Sequence, residues 1–155
     1  MAESKKTDVG NLHIAIVIAR WNNFVTQRLL DGAEKTLIEK GLAKDKIATI
    51  WVPGSFEIPT AARWAAESQK FDAVICLGAV ILGETDHYKH VSEQAASGIQ
   101  QVSQDTKTPV IFGVLTCKTS EQALARAGGA SGNSGSEGAL AALEMIEIKK
   151  NLANG

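Results

Sequence analysis

Short runs of apolar and β-branched residues alternate along the chain with longer segments in which apolar positions recur at helical spacing. Four apolar runs are nearly continuous, which is typical of strands buried on both faces of a parallel sheet; they are Leu12–Ala19, Ile47–Val52, Ala73–Val80 and Val110–Leu115. The amphipathic segments predict five helices: Phe24–Lys40, Ile58–Ser68, Tyr88–Gln104, Ser120–Ala127 and Ser136–Leu152. Because the two kinds of segment alternate, the sequence predicts an α/β three-layer sandwich, in which a four-stranded parallel sheet carries helices on both faces.

The helix boundaries carry residues that favour helix ends. Gly41 supplies a C-terminal stop after the first helix, Pro59 fits the first turn of the second, and Thr119 or Ser120 can cap the short fourth helix. The glycine- and serine-rich run Gly128–Gly138 joins two helices of one domain. We therefore interpret this run as a tight turn or a kink rather than as a flexible linker.

Length, composition and charge limit the class of protein. A chain of 155 residues corresponds to one domain, and 45% hydrophobic with 21% charged residues is a globular composition. The net charge of −1 offers no basic field for nucleic acid or for a membrane surface. No run reaches the roughly 18 apolar residues of a membrane span, and the polar N-terminus has no signal-peptide core. We expect a soluble, cytoplasmic protein without nucleic-acid or membrane partners.

Three smaller groups of residues complete this picture. Cys76 and Cys117 lie in strand-like runs and are expected to be buried, reduced thiols. Residues 1–10 are expected to form a loose N-terminal arm ahead of a single domain over residues 11–155. Aromatic residues make up only 5% of the chain, so the core must be aliphatic. Several aromatic side chains are assigned to the core or to packing: Phe24, Trp51, Trp64 and Phe71.

The loops that follow the predicted strands are the best candidates for a binding site, because ligands bind at the carboxyl ends of parallel strands. These loops are Arg20–Asn23, Pro53–Glu57, Ile81–Tyr88 and Thr116–Thr119. They contain Trp21 and Phe56, and aromatic rings beside backbone amides suit a flat heterocycle. The alternative is that both rings simply cover the end of the core.

A glycine-containing segment, Gly78–Thr85, nearly matches the phosphate-binding loop of nucleotide hydrolases. Glu84 stands where that loop has its lysine and would repel the terminal phosphates, so we exclude ATP hydrolysis. The N–H groups before the following helix can still hold a single phosphate. Arg126, at the end of the short helix, either compensates the helix dipole or binds the same anion.

His87 opens the third helix, where an imidazole can accept a proton and return it. The alternative is an inert surface histidine. His90 follows three residues later, but no third ligand has the spacing of a metal site, so we expect no metal.

Several of these segments together resemble one protein family. The resemblance lies in Arg20–Asn22, Trp51–Pro59, Leu77–Tyr88, Phe112–Thr116 and Glu121–Gly128. In this order, within a match from Leu12 to Ile148, they are similar to the signature segments of the 6,7-dimethyl-8-ribityllumazine synthase family. The resemblance implies a flavodoxin-like fold and the penultimate step of riboflavin biosynthesis. In that step 5-amino-6-(D-ribitylamino)uracil condenses with 3,4-dihydroxy-2-butanone 4-phosphate, and phosphate and water leave. No metal or organic cofactor is implied.

The resemblance also implies residue roles in the pyrimidine subsite. Trp21 matches the ring that stacks on the pyrimidine, and Phe112 matches a ring that the neighbouring subunit contributes. The segment that binds the pyrimidine and its ribityl chain is matched by Ser55, Phe56 and Glu57. The strand end that binds the uracil edge through its backbone is matched by Ala79, Val80 and Ile81.

The roles implied for the second substrate involve four residues. Glu84 and Thr85 match the backbone clamp for the phosphate, and Arg126 matches a phosphate ligand from the neighbouring subunit. His87 matches the proton-transfer residue. The resemblance further implies a homo-oligomer, a pentamer or a 60-subunit shell, with the N-terminal arm pairing with a neighbour.

The chain departs from the family at three positions. Ala130 and Ser134 stand where the family usually has lysines, and Leu82 stands where a basic residue is usual. The missing lysines favour an alternative, a catalytically weak flavin- or lumazine-binding or cage-forming relative, whereas the retained site residues favour the enzyme. A flavodoxin-like FMN carrier is a weaker alternative, because Arg20–Asn23 lacks the residues of a phosphate loop.

Overall fold

The computed structural model describes residues 7–154. The sheet strands are β1 (Ile14–Ala19), β2 (Ile47–Val52), β3 (Ala73–Ile81) and β4 (Val110–Cys117). The helices are α1 (Asn23–Glu39), α2 (Ile58–Glu67), α3 (His87–Thr106), α4 (Ser120–Ala125) and α5 (Ser134–Asn154). Two short strands, β5 (Ala127–Gly129) and β6 (Gly132–Asn133), lie between α4 and α5. All predicted strands and helices are therefore present, with small shifts at their ends.

The main sheet confirms the predicted α/β three-layer sandwich. Its strand order is β2-β1-β3-β4, and every neighbouring pair is parallel. One apolar cluster fills the space between one face and helices α1 and α5, and it includes Ile16 of β1, Leu29 of α1 and Ala142 of α5. A second cluster on the other face includes Val17 of β1 and Ile58 of α2. The architecture is flavodoxin-like.

The glycine- and serine-rich run forms a tight antiparallel hairpin of β5 and β6. Gly128 and Gly132 adopt φ values of 101° and 88°, which a side chain would disfavour. Asn133 directly precedes α5, and its Oδ1 accepts hydrogen bonds from Gly135 N (2.8 Å) and Ser136 N (3.0 Å). Its Nδ2 donates to the carbonyl oxygen of Arg28 in α1 (3.1 Å), so one side chain starts α5 and joins it to α1.

Two of the predicted helix-end signals, at Gly41 and at Thr119, are confirmed. Gly41 has φ 109°, its N–H donates to Ile38 O, and the N–H of Leu42 donates to Leu37 O, which is the Schellman arrangement. At α4 the cap is Thr119 rather than Ser120, because its hydroxyl accepts a hydrogen bond from Gln122 N.

The predicted packing role of three aromatic residues is wrong. Trp64 is 69% exposed because the buried face of α2 consists of Ile58 and alanines, and position 64 points away from it. Trp51, on the edge strand β2, and Phe24, in the first turn of α1, are also exposed. Phe71 is partly buried against the second cluster, as predicted.

The cysteines are buried and free, as predicted. Burial raises the pKa of both the Cys76 and the Cys117 thiol.

The N-terminal arm falls partly outside the described residues, which begin at residue 7. Its last part is not loose, because Asp8 accepts a hydrogen bond from Gly10 N and Val9 packs against the first apolar cluster. None of the helices within residues 7–154 combines the length and the apolar character that crossing a membrane requires.

Candidate active site

A cavity of about 660 Å³ opens at the carboxyl edge of the sheet, where the loops after β1, β2 and β3 meet. It is bounded by the β1–α1 loop, the short 3-10 helix Ser55–Glu57, the end of β3 and the start of α3. Most of the site residues predicted from the sequence line this one cavity.

One wall is formed by the β1–α1 loop. The N–H groups of Arg20 and Trp21 donate to Val52 O (2.8 Å) and Pro53 O (3.0 Å), which continues the β1–β2 pairing past the ends of both strands. The Trp21 side chain lines the cavity and is 74% exposed. Phe56 also lines it and is 57% exposed. Because both rings are largely exposed to solvent, the alternative interpretation that Trp21 and Phe56 merely cover the end of the core is wrong.

The 3-10 helix after β2 places Ser55, Phe56 and Glu57 along the cavity. Ser55 is buried and lies directly against Gly78 of β3, where an added Cβ would stand 2.5 Å from the Ser55 hydroxyl oxygen. The absent side chain at Gly78 therefore allows the 3-10 helix to rest on the sheet.

The end of β3 presents its backbone to the cavity. Val74 N donates to Pro109 O and Leu82 N to Cys117 O, so the even-numbered positions of β3 face β4. Because the main-chain groups of successive residues alternate in direction, those of Ala79 and Ile81 face the opposite side. There β1 has already ended, since its last pair with β3 is Ile18 with Leu77. Ala79, Val80 and Ile81 all line the cavity, but alternation directs the backbone of Val80 towards β4.

The start of α3 closes the cavity on the remaining side. Thr85 and His87 line it, and the Thr85 hydroxyl accepts a hydrogen bond from His87 N (3.3 Å). Glu84 is exposed and does not line the cavity, although Gly83 beside it does. Tyr88, whose role the sequence left open, is partly buried against the second apolar cluster and contributes to the lining.

Phe112 and Arg126 lie away from this cavity. Phe112 is 50% exposed and lines a second cavity of about 290 Å³ between β4 and α5, together with Ser134 and Glu137. Arg126 is exposed at the end of α4, and its charge opposes the effect of burial on the pKa of Cys117. Within one chain the structure does not bring these two residues to the other site residues.

Asn22 is one of several lining residues to which no role was assigned from the sequence. It adopts the left-handed conformation (φ 62°, ψ 43°), and its Nδ2 donates to the carbonyl oxygen of Ala79 (2.8 Å). The signal was present, because Asn22 follows a predicted strand and asparagine tolerates this conformation better than most residues. Other lining residues without a predicted role are Pro53, Gly54 and Val91, whereas Gly83 belongs to the segment before α3 whose N–H groups were expected to hold a phosphate.

No group of three or more potential metal-ligating His, Cys, Asp or Glu side chains occurs in the described part of the chain. The cavity wall is instead built of aromatic rings, hydroxyls, one carboxylate, one imidazole and backbone groups. Such a lining suits an organic substrate with a flat ring and several hydrogen-bonding groups.

Fold and cavity define a flavodoxin-like α/β protein with a candidate ligand site at the carboxyl edge of its parallel sheet. A family model described as 6,7-dimethyl-8-ribityllumazine synthase matches residues 11–150. Two proteins with this same name, from Coxiella burnetii (strain RSA 493 / Nine Mile phase I) and Pediococcus pentosaceus, are each 50% identical to the chain over 143 residues. These alignments cover 92% of the chain and 95% and 92% of the respective relatives. The chain belongs to the 6,7-dimethyl-8-ribityllumazine synthase family.

Proposed function

We propose that this protein condenses 5-amino-6-(D-ribitylamino)uracil with 3,4-dihydroxy-2-butanone 4-phosphate to 6,7-dimethyl-8-ribityllumazine, with release of phosphate and water. Family membership and relatives of the same name at 50% identity support this reaction. The observation that carries it is the cavity at the carboxyl edge of the sheet, which gathers residues assigned by resemblance to both substrates. The riboflavin pathway uses this product.

The pyrimidine subsite lies between the Trp21 ring and the end of β3. The exposed indole provides a face for stacking. The backbone groups of Ile81 and the N–H of Ala79 face away from β4 and supply donors and an acceptor for the edge of the uracil ring, while the Ala79 oxygen accepts from Asn22 Nδ2. Ser55 and Glu57 bind the ribityl chain in this proposal, because its hydroxyls can donate to a carboxylate.

The phosphate subsite lies at the start of α3. The N–H groups of Glu84 and Thr85 precede a 20-residue helix, whose N-terminus carries a partial positive charge. Glu84 contributes only through its backbone in this proposal, since its side chain is exposed outside the cavity.

His87 is proposed to transfer protons between the two subsites. The pyrimidine amine attacks the ketone carbon, and the nitrogen must lose protons while the departing oxygen gains them as the imine forms. An imidazole that accepts the first proton can return it to the leaving hydroxyl. Binding both substrates side by side supplies the larger part of the acceleration, because this condensation is intrinsically facile.

A second copy of the chain is proposed to complete the site. Phe112 and Arg126 are exposed and lie outside the cavity, which supports their use by the cavity of a neighbouring subunit. The assembly is a pentamer or a 60-subunit shell, and light scattering of the purified protein distinguishes the two. A particle of monomer mass would contradict the shared site.

Mixing variants tests the shared site more directly. His87→Ala and Arg126→Ala chains, unfolded and refolded together, regain some fully intact sites only if the two residues come from different subunits. We expect the mixture to exceed the mean activity of the separate variants. Activity equal to that mean would assign both residues to the same subunit's cavity.

The reaction itself is tested by adding both substrates to the purified protein and recording the fluorescence of the lumazine. We expect a rate well above the uncatalysed background. A rate equal to that background, with normal folding, would contradict the enzyme and support the cage-forming or flavin-binding relative.

The proposed location is the cytoplasm. The two buried, free thiols are compatible with a reducing compartment. Fractionation of cells that express the tagged protein tests this, and recovery in an extracellular fraction would contradict it.

A further inference from the structure

Asn22 occupies a position where asparagine normally caps a helix, but it does not cap one. Directly before α1 its side-chain oxygen would be expected to accept a hydrogen bond from the second or third N–H of the helix. No such bond forms. Instead, the N–H groups of Val25 and Thr26 bond to the backbone oxygen of Asn22 (2.9 and 3.1 Å). The side chain is therefore free for another purpose.

That purpose is a bond across the carboxyl edge of the sheet. Asn22 Nδ2 donates to Ala79 O at 2.8 Å, between residues separated by 57 positions in the chain. This carbonyl faces the side of β3 on which β1 no longer pairs. The side-chain amide thus replaces a strand partner for Ala79, in a partly buried place where an unbonded carbonyl is unfavourable.

The same loop is also tied on its other side. Arg20 and Trp21 bond to the end of β2, and the next residue bonds to the end of β3. The backbone on both sides of the Trp21 side chain is therefore held by hydrogen bonds, to the end of β2 and, through the left-handed Asn22, to the end of β3. A left-handed non-glycine conformation persists where its surroundings hold it in place.

We propose that Asn22 is a positioning residue for the pyrimidine subsite. Its bond to Ala79 fixes the distance between the Trp21 ring and the backbone edge at Ala79 and Ile81, so that a flat ring can stack and hydrogen-bond at once. This role rests on the proposed function. It requires no contact between Asn22 and the substrate. A displacement of about 1 Å between two walls of a site can cost roughly 10²-fold in rate.

Three substitutions of Asn22 distinguish the effect of its hydrogen bond to Ala79 from the effect of its left-handed backbone conformation. Asn22→Gly keeps the left-handed conformation without strain but removes the amide. Asn22→Asp keeps the shape but replaces the donor by an acceptor that faces a carbonyl. Asn22→Ala removes both features. Gln69→Ala is the matched control, since Gln69 has nearly the same φ (60°) on an exposed turn far along the chain.

We expect the Gly and Asp variants to bind the pyrimidine substrate about tenfold or more weakly, as measured by titration calorimetry without the second substrate. In turnover assays the KM of the pyrimidine substrate should rise by a similar factor, while the KM of the phosphate substrate stays within about twofold. A merely structural role would change both constants together. The Gln69→Ala protein should behave like the wild type.

Pyrimidine affinity of Asn22→Gly equal to the wild type would overturn the positioning role, as would equal increases of both KM values. If either result is obtained while the wild-type protein still converts both substrates to the lumazine, only the positioning role of Asn22 is wrong and the proposed function is retained. If the wild type neither binds the pyrimidine nor forms lumazine, both are wrong.

Discussion

Asn22 and Asn133 each lie directly before a helix, but only Asn133 caps its helix with the side chain. Asn133 caps α5 with its oxygen and reaches the backbone of α1 with its nitrogen. Asn22 leaves α1 without a side-chain cap and donates to the end of β3. The difference arises from the surroundings of each side chain, since Asn133 lies at a contact between two helices and Asn22 beside an open cavity.

The two regions also differ in how closely the backbone is packed. Gly135 lies so near Leu29 O that a Cβ there would overlap it, and a Cβ at Gly32 would overlap the Asn133 side chain. Around Asn22 the neighbouring rings are exposed. The α1–α5 junction is therefore closely packed and the rim of the candidate site is open. Substitutions at the junction should change the free energy of unfolding, and substitutions at the rim should change substrate binding and turnover.

The largest effect is expected from Gly135→Ala. The methyl group has no space beside the Leu29 carbonyl, so α5 must move away from α1, and we expect a loss of about 3 kcal/mol in the free energy of unfolding. Urea unfolding measures it. Gly138→Ala in the same helix is the control, since its Cβ would make ordinary contacts at 3.5 and 3.6 Å. A Gly135→Ala protein as stable as Gly138→Ala would contradict the close contact.

Asn133→Ala should cost about 2 kcal/mol of stability, because it removes the cap and the link to Arg28. Asn133→Asp retains the capping oxygen and loses only the donor, so it should fall between the alanine variant and the wild type in the same unfolding experiment. Equal losses for Asp and Ala would mean that the cap contributes nothing.

His87→Ala should lower kcat by about 10- to 10²-fold without abolishing turnover, because proximity provides most of the acceleration. Its unfolding midpoint should equal that of the wild type, since His87 is exposed. Complete loss of turnover with normal binding of both substrates would instead make proton transfer indispensable. A large loss of stability in His87→Ala would contradict the expectation that substitutions at the cavity rim change activity and not the free energy of unfolding.

Arg126→Ala should raise the KM for the phosphate substrate roughly tenfold, the scale of one charge-assisted hydrogen bond. The KM of the pyrimidine substrate provides the internal control and should not change. An unchanged KM for the phosphate substrate removes Arg126 from the site.

The smallest effect belongs to a surface link between α2 and α3. Hydrogen bonds from Gln101 and Arg63 hold the pKa of Asp105 below its usual value. A lowered folded-state pKa adds stability above about pH 4, and this stability disappears as the pH falls through that range. Asp105→Asn should therefore melt slightly below the wild type at pH 7, and the two midpoints should converge once the pH falls below the folded-state pKa of Asp105. A constant difference across this range would assign the effect to packing.

The sequence was sufficient for the helices and strands because their signals are local. The period of apolar positions located α1, and Gly41 marked where it stops. The β5–β6 hairpin was predicted only as a turn or kink, since its pairing is too short to leave a periodic pattern. The exposure of Trp64 was missed because bulk and apolarity alone do not determine which face of a helix is buried.

The candidate site was predicted less completely, for a physical reason. The loops after β1, β2 and β3 were correctly expected to meet, because parallel strands share one edge, but Thr116–Thr119 after β4 does not line the cavity. The bond between Asn22 and Ala79 joins positions 57 residues apart, and that between Asn133 and Arg28 joins positions 105 apart. Neither partner can be identified until the fold brings them together.

The alternating backbone of β3 has a consequence for the evolution and engineering of this site. The hydrogen-bonding groups at the end of β3 are backbone N–H and C=O groups, which every residue type except proline carries in full. Most point substitutions at Ala79 or Ile81 therefore leave these donors and acceptors in place. Inserting or deleting one residue in β3 would exchange the groups that face the cavity for those that face β4. In the proposed pyrimidine subsite, a preference for a different ring would therefore require a change in the length of β3, and libraries that vary only the residue types of β3 would retain the original preference.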